Sequence, residues 1–598
     1  MAVREIKSCV LFITVLIAPA ASCGPVFGDE PPASLPADFS ARVDELFAKW
    51  NRRHTPGCVV GIVHRGQLIY SKGFGSANLE YRAPNTPQTV FEVMAVSQSL
   101  TCVCLAMLLD EGKISPEDDL RKFVPEMHPF DPPIRIRDMV RCRTGLWDQI
   151  AVPALVGWEI APLQHPYTEA DLLSLLAGQK TLPFQPGSQY RYGMGDYFLL
   201  GLIVKRISGE SLAEFARKRV FAPLGMSRTF FEEDPGAVIE QRAVGHYKRV
   251  GDAWHLWRPT AYMVGGAGLQ TCVEDLCRWD QNFARNRLPG GKYLDEFFRE
   301  GTLLGNRSCL DADAALKEND PEARRKSPPG QYRGLRRRQF TGGAWGINAA
   351  MAQFPDQEFT VICLSNNDDI ASWKMTQRIA DLALGDRLAP QASRPPAPAA
   401  SELPTVELKE AELRDKVGAY RTKSNGVIWR ITLRDGTLQL TDQFHGTCPL
   451  RPLSATRFDP EGPGFSPTTQ LVFSRPVAGS PWSLMEEWDL PDNKARIEFQ
   501  AVELVDPTPD QLKEYAGRYE SDELAATYRL EVRDGRLWLR VNSRRWEALD
   551  ATVHDEFVHI QEPSDIRIIT FLRNEKGEVT GLSIDIGGRL RGIRFTKR

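Results

Sequence analysis

The stretch FEVMAVSQSLTCVCLAMLLDEG, residues Phe91–Gly112, decides the fold of this chain. Its apolar residues recur at intervals of three and four positions, which is the period of an α-helix, and Gly112 stops the pattern. The residues before the periodic part predict a turn. We therefore expect a turn followed by a buried helix at the centre of a domain. The periodic positions are Leu100, Val103, Cys104, Met107 and Leu108.

The segments before this helix predict how the chain leads into it. Ser34–Asn51 carries apolar residues on one helical face and predicts an N-terminal helix. Cys58–His64 and Gln67–Lys72 predict a β-hairpin with Arg65 and Gly66 in the turn. The expected order is thus a helix, an edge hairpin and the buried helix.

Several segments of the chain resemble, in order, the motifs of the serine β-lactamase and penicillin-binding-protein superfamily, in its class C and esterase-like branch. The resemblance implies an α/β sandwich with an antiparallel sheet, of the β-lactamase/transpeptidase type, over residues 35–387. The matching segments are Phe91–Lys113, Ile134–Leu146, Phe184–Gly201, Phe221–Met226, Gly265–Thr271 and Phe340–Gly343.

The C-terminal third is predicted to form two small all-β barrels behind a Pro/Ala-rich linker at residues 388–404. A pattern of short helix, Gly-x-Tyr and strands around an Asp-Gly turn occurs twice, at Asp435-Gly436 and at Asp534-Gly535. The repeats cover residues 405–505 and 506–598. They resemble the lipocalin-like domains that are often fused behind this catalytic fold.

The resemblance also places the family's catalytic motifs, and most of their functional groups are replaced. The nucleophilic serine falls on Ala95 and the motif lysine on Gln98, while Tyr192 is kept. Met194 stands in place of an asparagine, and Phe340 stands in place of a lysine or histidine two residues before Gly342. We therefore assign no catalytic residue. The binding cleft implied by the resemblance comprises Tyr192, Thr341, Gly342 and Gly343.

A methyl group cannot attack a carbonyl carbon, so Ala95 excludes the standard acyl-enzyme mechanism. The leading hypothesis is a pseudoenzyme that binds a small-molecule or peptide ligand of the cell envelope. One alternative is a serine hydrolase, namely an esterase, D-amino-acid peptidase or β-lactamase-like enzyme, using relocated residues such as Ser97 or Ser99. A cysteine nucleophile, for instance Cys142, is a separate possibility. A second alternative is an envelope scaffold that acts through the barrels.

The composition of the chain indicates which classes of partner and cofactor to expect. A net charge of −3 gives no reason to expect nucleic acid as a partner. The 11 cysteines show no Cys-x-x-Cys pair, so we expect buried thiols and neither a metal site nor a disulfide framework, and no cofactor is predicted. The tryptophans between Ala253 and Arg258 are interpreted as surface-loop packing.

The N-terminus predicts export. Arg4 and Lys7 precede an apolar run and then small residues, the layout of a signal peptide, which we place at residues 1–28. Cys23 follows small residues and is a candidate for lipidation. The expected location is periplasmic or extracellular, without a transmembrane helix in the mature chain.

Overall fold

The structure is a computed structural model. It describes residues 36–149, 151–157, 168–234, 236–248, 253–257, 264–285, 287–299, 331–389, 403–422, 426–442, 446–462, 465, 468–475, 477, 480–490, 493–562, 565–586 and 590–598. The predicted signal peptide, Cys23 and most of the predicted linker lie outside these residues.

The first domain contains fourteen described strands. Five of them form one antiparallel sheet in the order β12-β13-β14-β1-β2, and three short strands form a second sheet in the order β5-β9-β6. The strands are β1 Cys58–His64, β2 Gln67–Phe74, β3 Ser76–Asn78, β4 Ala83–Pro84, β5 Phe91–Glu92, β6 Phe230–Phe231, β7 Gly245–Lys248, β8 Trp254–Trp257, β9 Leu269–Thr271, β10 Gln331–Tyr332, β11 Leu335–Arg336, β12 Arg338–Ala344, β13 Ile347–Phe354 and β14 Phe359–Ser365.

Helices cover both faces of the five-stranded sheet. The described helices of the first domain are α1 Phe39–Phe47, α2 Ser97–Asp110, α3 Ile136–Val140, α4 Val152–Leu155, α5 Glu169–Ala177, α6 Met194–Ser208, α7 Leu212–Ala216, α8 Ala222–Leu224, α9 Val273–Arg285, α10 Gly291–Arg299 and α11 Ser372–Leu384.

The sequence of strand β1 is rich in apolar residues because the strand is buried on both faces. Val59 and Val63 pack into the core that contains α2, whereas Val60 and Ile62 pack into the core that contains α1 and α11. Successive side chains of a strand point to opposite faces, so a strand that is covered on both sides needs apolar residues at every position. Position 61 has no room for a side chain, because a Cβ on Gly61 would lie 2.1 Å from Cγ1 of Val273 on α9.

Helix α2 is the buried helix that the sequence predicts. Every residue from Ser97 to Leu109 is buried, so the helix has no solvent-facing stripe. A helix that is enclosed on all sides belongs to the core of a large domain. It packs against α6, α7 and α10, and a short 3₁₀ turn at Met94–Val96 leads into it.

The C-terminal repeats form two closed barrels of eight antiparallel strands each, which confirms the predicted fold class. The first barrel follows α12 Glu410–Arg414, and the second follows α13 Pro509–Leu512. The strands are β15 Gly418–Thr422, β16 Ile428–Arg434, β17 Thr437–Asp442, β18 Gly446–Pro452, β19 Arg457–Pro460, β20 Gln470–Ser474, β21 Ser483–Leu490, β22 Asn493–Val502, β23 Gly517–Ser521, β24 Ala526–Arg533, β25 Arg536–Val541, β26 Glu547–Ala551, β27 Glu556–Glu562, β28 Asp565–Arg573, β29 Val579–Ile586 and β30 Leu590–Lys597.

Large side chains fill the interior of the first barrel. Trp429 stacks on Phe499 with 4.0 Å between ring centroids, and Phe458 meets Phe473 edge to face at 5.5 Å. An eight-stranded barrel is just wide enough for side chains to fill it. The first barrel is therefore a packed module.

The second barrel docks on the first domain through the segment that contains α4. The Tyr528 hydroxyl donates to the Leu155 carbonyl at 2.8 Å, and the Asn542 amide donates to the Val156 carbonyl at 3.0 Å. Buried residues of this barrel and those around α2 belong to one continuous apolar core. The apolar core of the first domain thus continues into the second barrel.

Candidate functional site

The turn that leads into α2 contains a residue with a strained backbone. Met94 adopts φ +48°, in the left-handed region that residues other than glycine rarely occupy. The Ser97 hydroxyl holds this turn, because it donates to the Met94 carbonyl at 2.5 Å and accepts from the Leu269 N–H at 3.1 Å. Such strain is characteristic of functional positions. The next residue, Ala95, is 8% exposed and presents only a methyl group.

Strand β12 lies directly against this turn. A Cβ on Gly342 would lie 2.1 Å from the Val93 carbonyl oxygen and 2.8 Å from the Ala95 nitrogen, so only glycine fits there. Gly342 is therefore placed at the start of α2, as the motif order predicts. Thr341 and Gly343 alternate with it along the strand, and both are partly exposed.

Gln98 and Tyr192 meet, although 94 residues separate them in sequence. The Gln98 Nε2 donates to the Tyr192 hydroxyl oxygen at 2.9 Å, and Gln98 is fully buried. The amide has no charge, so it cannot stabilise an alkoxide as an ammonium would or act as a base toward a hydroxyl. The two motif positions are thus in contact, but the contact is a neutral hydrogen bond.

A small apolar group, which we call the methionine cluster, lies beside this pair and consists of Met94, Met194, Ala267 and Ile347. Met194 begins α6 and is 1% exposed, and its side chain packs against Gly266. The partly buried side chains that flank the cluster are Tyr192, Trp257 and Ala344.

Trp257 corrects one sequence interpretation. It belongs to strand β8, paired with β7, and packs against the methionine cluster. It is therefore a residue of the candidate site, and the surface-loop interpretation is wrong for it. A contact of this kind depends on the path of the β7–β8 hairpin, and no local pattern in the sequence signals it.

Phe340 occupies its predicted place in the motif order but is buried away from solvent. It is 2% exposed, and its ring lies 5.9 Å from that of Phe283 on α9. The side chain is part of the apolar core around α2. It contributes packing at a position where the family motif has a cation.

The hydroxyls of Ser97 and Ser99 are already used within the helix. Ser97 donates to the Met94 carbonyl, and Ser99 donates to the Val96 carbonyl at 2.7 Å. Both residues are fully buried, and Cys142 is 3% exposed. A relocated nucleophile at any of these three positions would have to become accessible first.

A buried acidic network supports the turn from the other side. Glu92 accepts from the Gly268 N–H at 2.9 Å and from the Gln270 Nε2 at 2.5 Å. The same Nε2 donates to Glu232 at 2.7 Å, and Glu232 is paired with Arg242. Burial raises the pKa of Glu92 from 4.5 to about 8, and the charge of Glu232 adds to the rise, while the Gly268 N–H and Arg242 oppose it.

The raised pKa of Glu92 predicts stability that depends on pH. Folding favours the protonated carboxyl, so its contribution is complete below pH 4.5 and is lost as the pH rises through about 8. Between pH 5 and pH 8, the free energy of unfolding of the unchanged chain should fall by roughly 3–4 kcal/mol more than that of Glu92→Gln. Denaturant unfolding at both pH values measures this difference.

The exposed Glu80→Gln is the control for this experiment, because it also removes one carboxylate. Equal pH dependence in Glu92→Gln and in the unchanged chain would contradict the assignment of a protonated Glu92.

Other chemistry is limited in the described part of the chain. There, no group of three or more His, Cys, Asp or Glu side chains could hold a metal ion. The cysteines within it are free and buried. Among its helices, none has the length and apolar character needed to cross a membrane.

Two protein-family models match separate parts of the chain. A family model described as Beta-lactamase matches residues 39–384. A model described as a domain of unknown function matches residues 503–597, the region of the second barrel.

The most similar curated proteins include two D-aminopeptidases. That of Brucella anthropi is 25% identical over 562 residues, which cover 88% of this chain and 93% of the relative. That of Gluconobacter oxydans is 28% identical over 245 residues, and the match covers 41% of this chain and 45% of that relative.

A solved structure shares the fold. The octameric penicillin-binding protein homologue from Pyrococcus abyssi superposes with a TM-score of 0.51 at 18% identity, covering 77% of this chain and 99% of that one.

Proposed function

Because the chain belongs to the β-lactamase family of serine hydrolases, we propose that it is a member that has lost hydrolysis and uses the candidate site to bind a ligand. One observation supports this proposal: the turn before α2 presents the methyl group of Ala95, the residue that the motif order assigns to the position of the nucleophilic serine. Deletion of the nucleophile from a comparable serine hydrolase lowers turnover by about a millionfold.

The surroundings of Ala95 support the same proposal. A serine in place of Ala95 would still lack a base, because the Gln98 side chain is neutral and hydrogen-bonded to Tyr192. Met194 offers no amide to orient a substrate carbonyl, since its side chain is packed in the methionine cluster. Loss of the nucleophile is thus accompanied by changes at the positions that would assist it.

A serine hydrolase is the second candidate function, and the relatives named D-aminopeptidase favour it. On this hypothesis the chain would cleave an ester or a D-amino-acid peptide bond with relocated residues. Ser97 and Ser99 are poorly suited to that role, because both hydroxyls are buried and donate to main-chain carbonyls. The comparisons support descent from hydrolases, and the replaced motif groups support loss of the reaction.

Two further elements of the proposal rest on sequence. We infer export to the periplasm or cell exterior from the N-terminal 28 residues, and the ligand would then come from the cell envelope. A scaffold role for the barrels is the third candidate, and the packed interior of the first barrel restricts its recognition to the outer surface.

Covalent labelling separates the first two candidates. The purified full chain is incubated with a fluorophosphonate probe or a chromogenic β-lactam, and its intact mass is measured. We expect no adduct, because Ala95 has no oxygen that could be acylated or phosphonylated. A stoichiometric adduct on any serine would refute the proposal, and the Ser97→Ala, Ser99→Ala variant would then test those two positions. An active serine hydrolase treated in parallel verifies both reagents.

A further inference from the structure

Three arginines lie side by side on the outer surface of the second barrel. Arg518 on β23 is directly opposite Arg529 on β24, and Arg529 is directly opposite Arg540 on β25. The residue that follows each of them is buried in the apolar core, and side chains alternate along a strand, so the three arginines point outward. Arg518 and Arg529 are exposed, and Arg540 is partly exposed. We call these three residues the arginine row.

The arginine row does not favour folding. Like charges that are directly opposite each other on neighbouring strands destabilise a sheet. Arg518 forms an ion pair with Glu520, whereas Arg529 and Arg540 form none with the residues that the structure describes. The Nε of Arg540 is shielded from solvent and has no hydrogen-bond partner in the same part of the chain. The row therefore lowers the stability of the barrel, and the fold does not explain it.

The first barrel shows that this architecture forms without the arginine row. The equivalent residues, 99 positions earlier in the chain, are Ala419, Arg430 and Thr441, and they lie opposite one another in the same register. This barrel closes with eight strands, as the second does. Arg536 of the second barrel likewise corresponds to Thr437 of the first. The added positive charge is thus specific to the second barrel.

An aromatic ring adjoins the arginine row. Trp546, which directly precedes β26, is partly exposed, and the guanidinium carbons of Arg533 and Arg540 lie 3.9 and 4.8 Å from its ring centroid. A guanidinium that lies over an aromatic ring is held in place by that contact, and its N–H groups at the edge stay available to an oxyanion. Trp546 therefore orders two arginines before any ligand arrives.

This surface carries more positive than negative charge, although the whole chain has a net charge of −3. Within the described part of the chain, three carboxylates pair with arginines of this surface, and one of them, Glu520, is shared with Arg598. Guanidinium groups form strong paired hydrogen bonds with carboxylate, sulfate and phosphate groups. The arginines are Arg518, Arg529, Arg533, Arg536 and Arg540, and the acids are Glu520, Glu531 and Asp550.

A polysaccharide fits this surface better than a lipid bilayer does. Proteins that lie on a bilayer insert apolar side chains into it. The large apolar side chains that are exposed in the described part of the chain all lie before the second barrel. The arginine row places one positive charge on each strand, at the strand spacing of about 4.8 Å. That interval is close to the length of one unit in an extended hexose chain, so successive acidic sugars can each meet one arginine.

We propose that the arginine row and Trp546 bind an anionic polysaccharide on the outside of the second barrel. Acidic groups on neighbouring sugars would accept hydrogen bonds from the guanidinium groups, and their charge would offset the repulsion within the row. This inference goes beyond the binding function proposed for the candidate site, and it holds whether or not that site hydrolyses its ligand.

Two polymers that differ in charge test the proposal with the full chain. Dextran sulfate and unmodified dextran of the same length are titrated by calorimetry. We expect dextran sulfate to bind and unmodified dextran not to bind. The variant Arg518→Ala, Arg540→Thr gives the second barrel the residues of the first and should weaken binding of dextran sulfate at least tenfold.

The matched control is Arg430→Ala, Arg434→Ala, which removes two exposed arginines from the first barrel and gives the chain the same net charge. It should weaken binding less than twofold. Equal weakening in both variants would show that binding follows net charge alone and would overturn the proposal. Absence of binding of dextran sulfate to the unchanged chain would also overturn it.

Thermal unfolding separates a role in binding from a role in folding. Arg518→Ala, Arg540→Thr should be at least as stable as the unchanged chain, because it relieves repulsion between opposite arginines. Lower stability of this variant would show that the row serves the fold, and the proposal would be wrong. Tighter binding to phosphatidylglycerol vesicles or to duplex DNA than to dextran sulfate would also refute it, since the ligand would then be a membrane or a nucleic acid.

Discussion

The triple variant Ala95→Ser, Gln98→Lys, Met194→Asn is expected to hydrolyse an activated ester at least ~1000-fold faster than the unchanged chain, a small part of the millionfold that a nucleophile contributes. The double variant Ala95→Ser, Gln98→Lys is expected to gain less than about tenfold. The triple variant should be faster than the double variant because of the amide that Met194→Asn introduces. A serine hydroxyl and a lysine do not orient the substrate carbonyl by themselves.

The geometry of the site supports this expectation. The Gln98 amide nitrogen lies 2.9 Å from the Tyr192 hydroxyl, so a lysine ammonium there can reach the same group. Position 98 is fully buried, and burial lowers the pKa of a lysine toward the range in which it acts as a base. Phe340 stays unchanged in this variant, since a polar side chain against Phe283 would disturb the core.

Initial rates with p-nitrophenyl acetate and with a chromogenic β-lactam measure the effect. The matched control is Gln98→Lys, Met194→Asn with Ala95 retained, which should be inactive because it lacks the nucleophilic oxygen. Equal rates for the double and triple variants would show that Met194 does not limit catalysis. An inactive but folded triple variant would show that the site lacks more than the three replaced groups.

Gly178→Val is expected to undock the second barrel and to lower the free energy of unfolding by about 3 kcal/mol, at the upper end of the range for overpacked cores. A Cβ at Gly178 would lie 2.1 Å from the Glu523 main-chain oxygen. That atom belongs to the backbone and cannot move aside as a flexible side chain would. The interface must therefore open, and the Tyr528–Leu155 hydrogen bond should break with it.

Denaturant unfolding and limited proteolysis of the full chain test this expectation. Gly385→Val is the matched control, because a Cβ at Gly385 meets no atom within 4 Å. We expect faster cleavage near the second barrel in Gly178→Val and unchanged cleavage in the control. Equal losses of stability in both variants would mean that the substitution, and not the interface, is responsible.

The meeting of the motif segments could be predicted from sequence because the order of the motifs fixes the register of the first domain. Ala95 lies in the turn before α2, and Gln98 contacts Tyr192, as the motif order implies. Each of these residues lies in a segment with a recognisable local pattern. The order of the segments then determines which of them meet.

Contacts between segments without such patterns could not be predicted. Trp257 reaches the methionine cluster because hairpin β7–β8 passes beside that cluster. The alternation of polar and apolar residues in a four-residue strand does not indicate where the hairpin lies in the domain. The two barrels show the same limit. Trp429 and Tyr528 are equivalent positions of the repeat, and the ring of each packs on a phenylalanine of its own barrel. The Tyr528 hydroxyl additionally donates to the Leu155 carbonyl of the first domain.

The docking of the second barrel on α4 sets the order in which the parts of the protein can complete folding during synthesis. The first domain ends near Leu384, but the surface around Leu155 finds its partner, Tyr528, only in the last repeat. At ribosomal speeds of about 5–20 residues per second, the chain needs on the order of 10–30 s to extend from one to the other. During this interval the first barrel can close, while the apolar surface around α4 stays uncovered and open to chaperones or to aggregation.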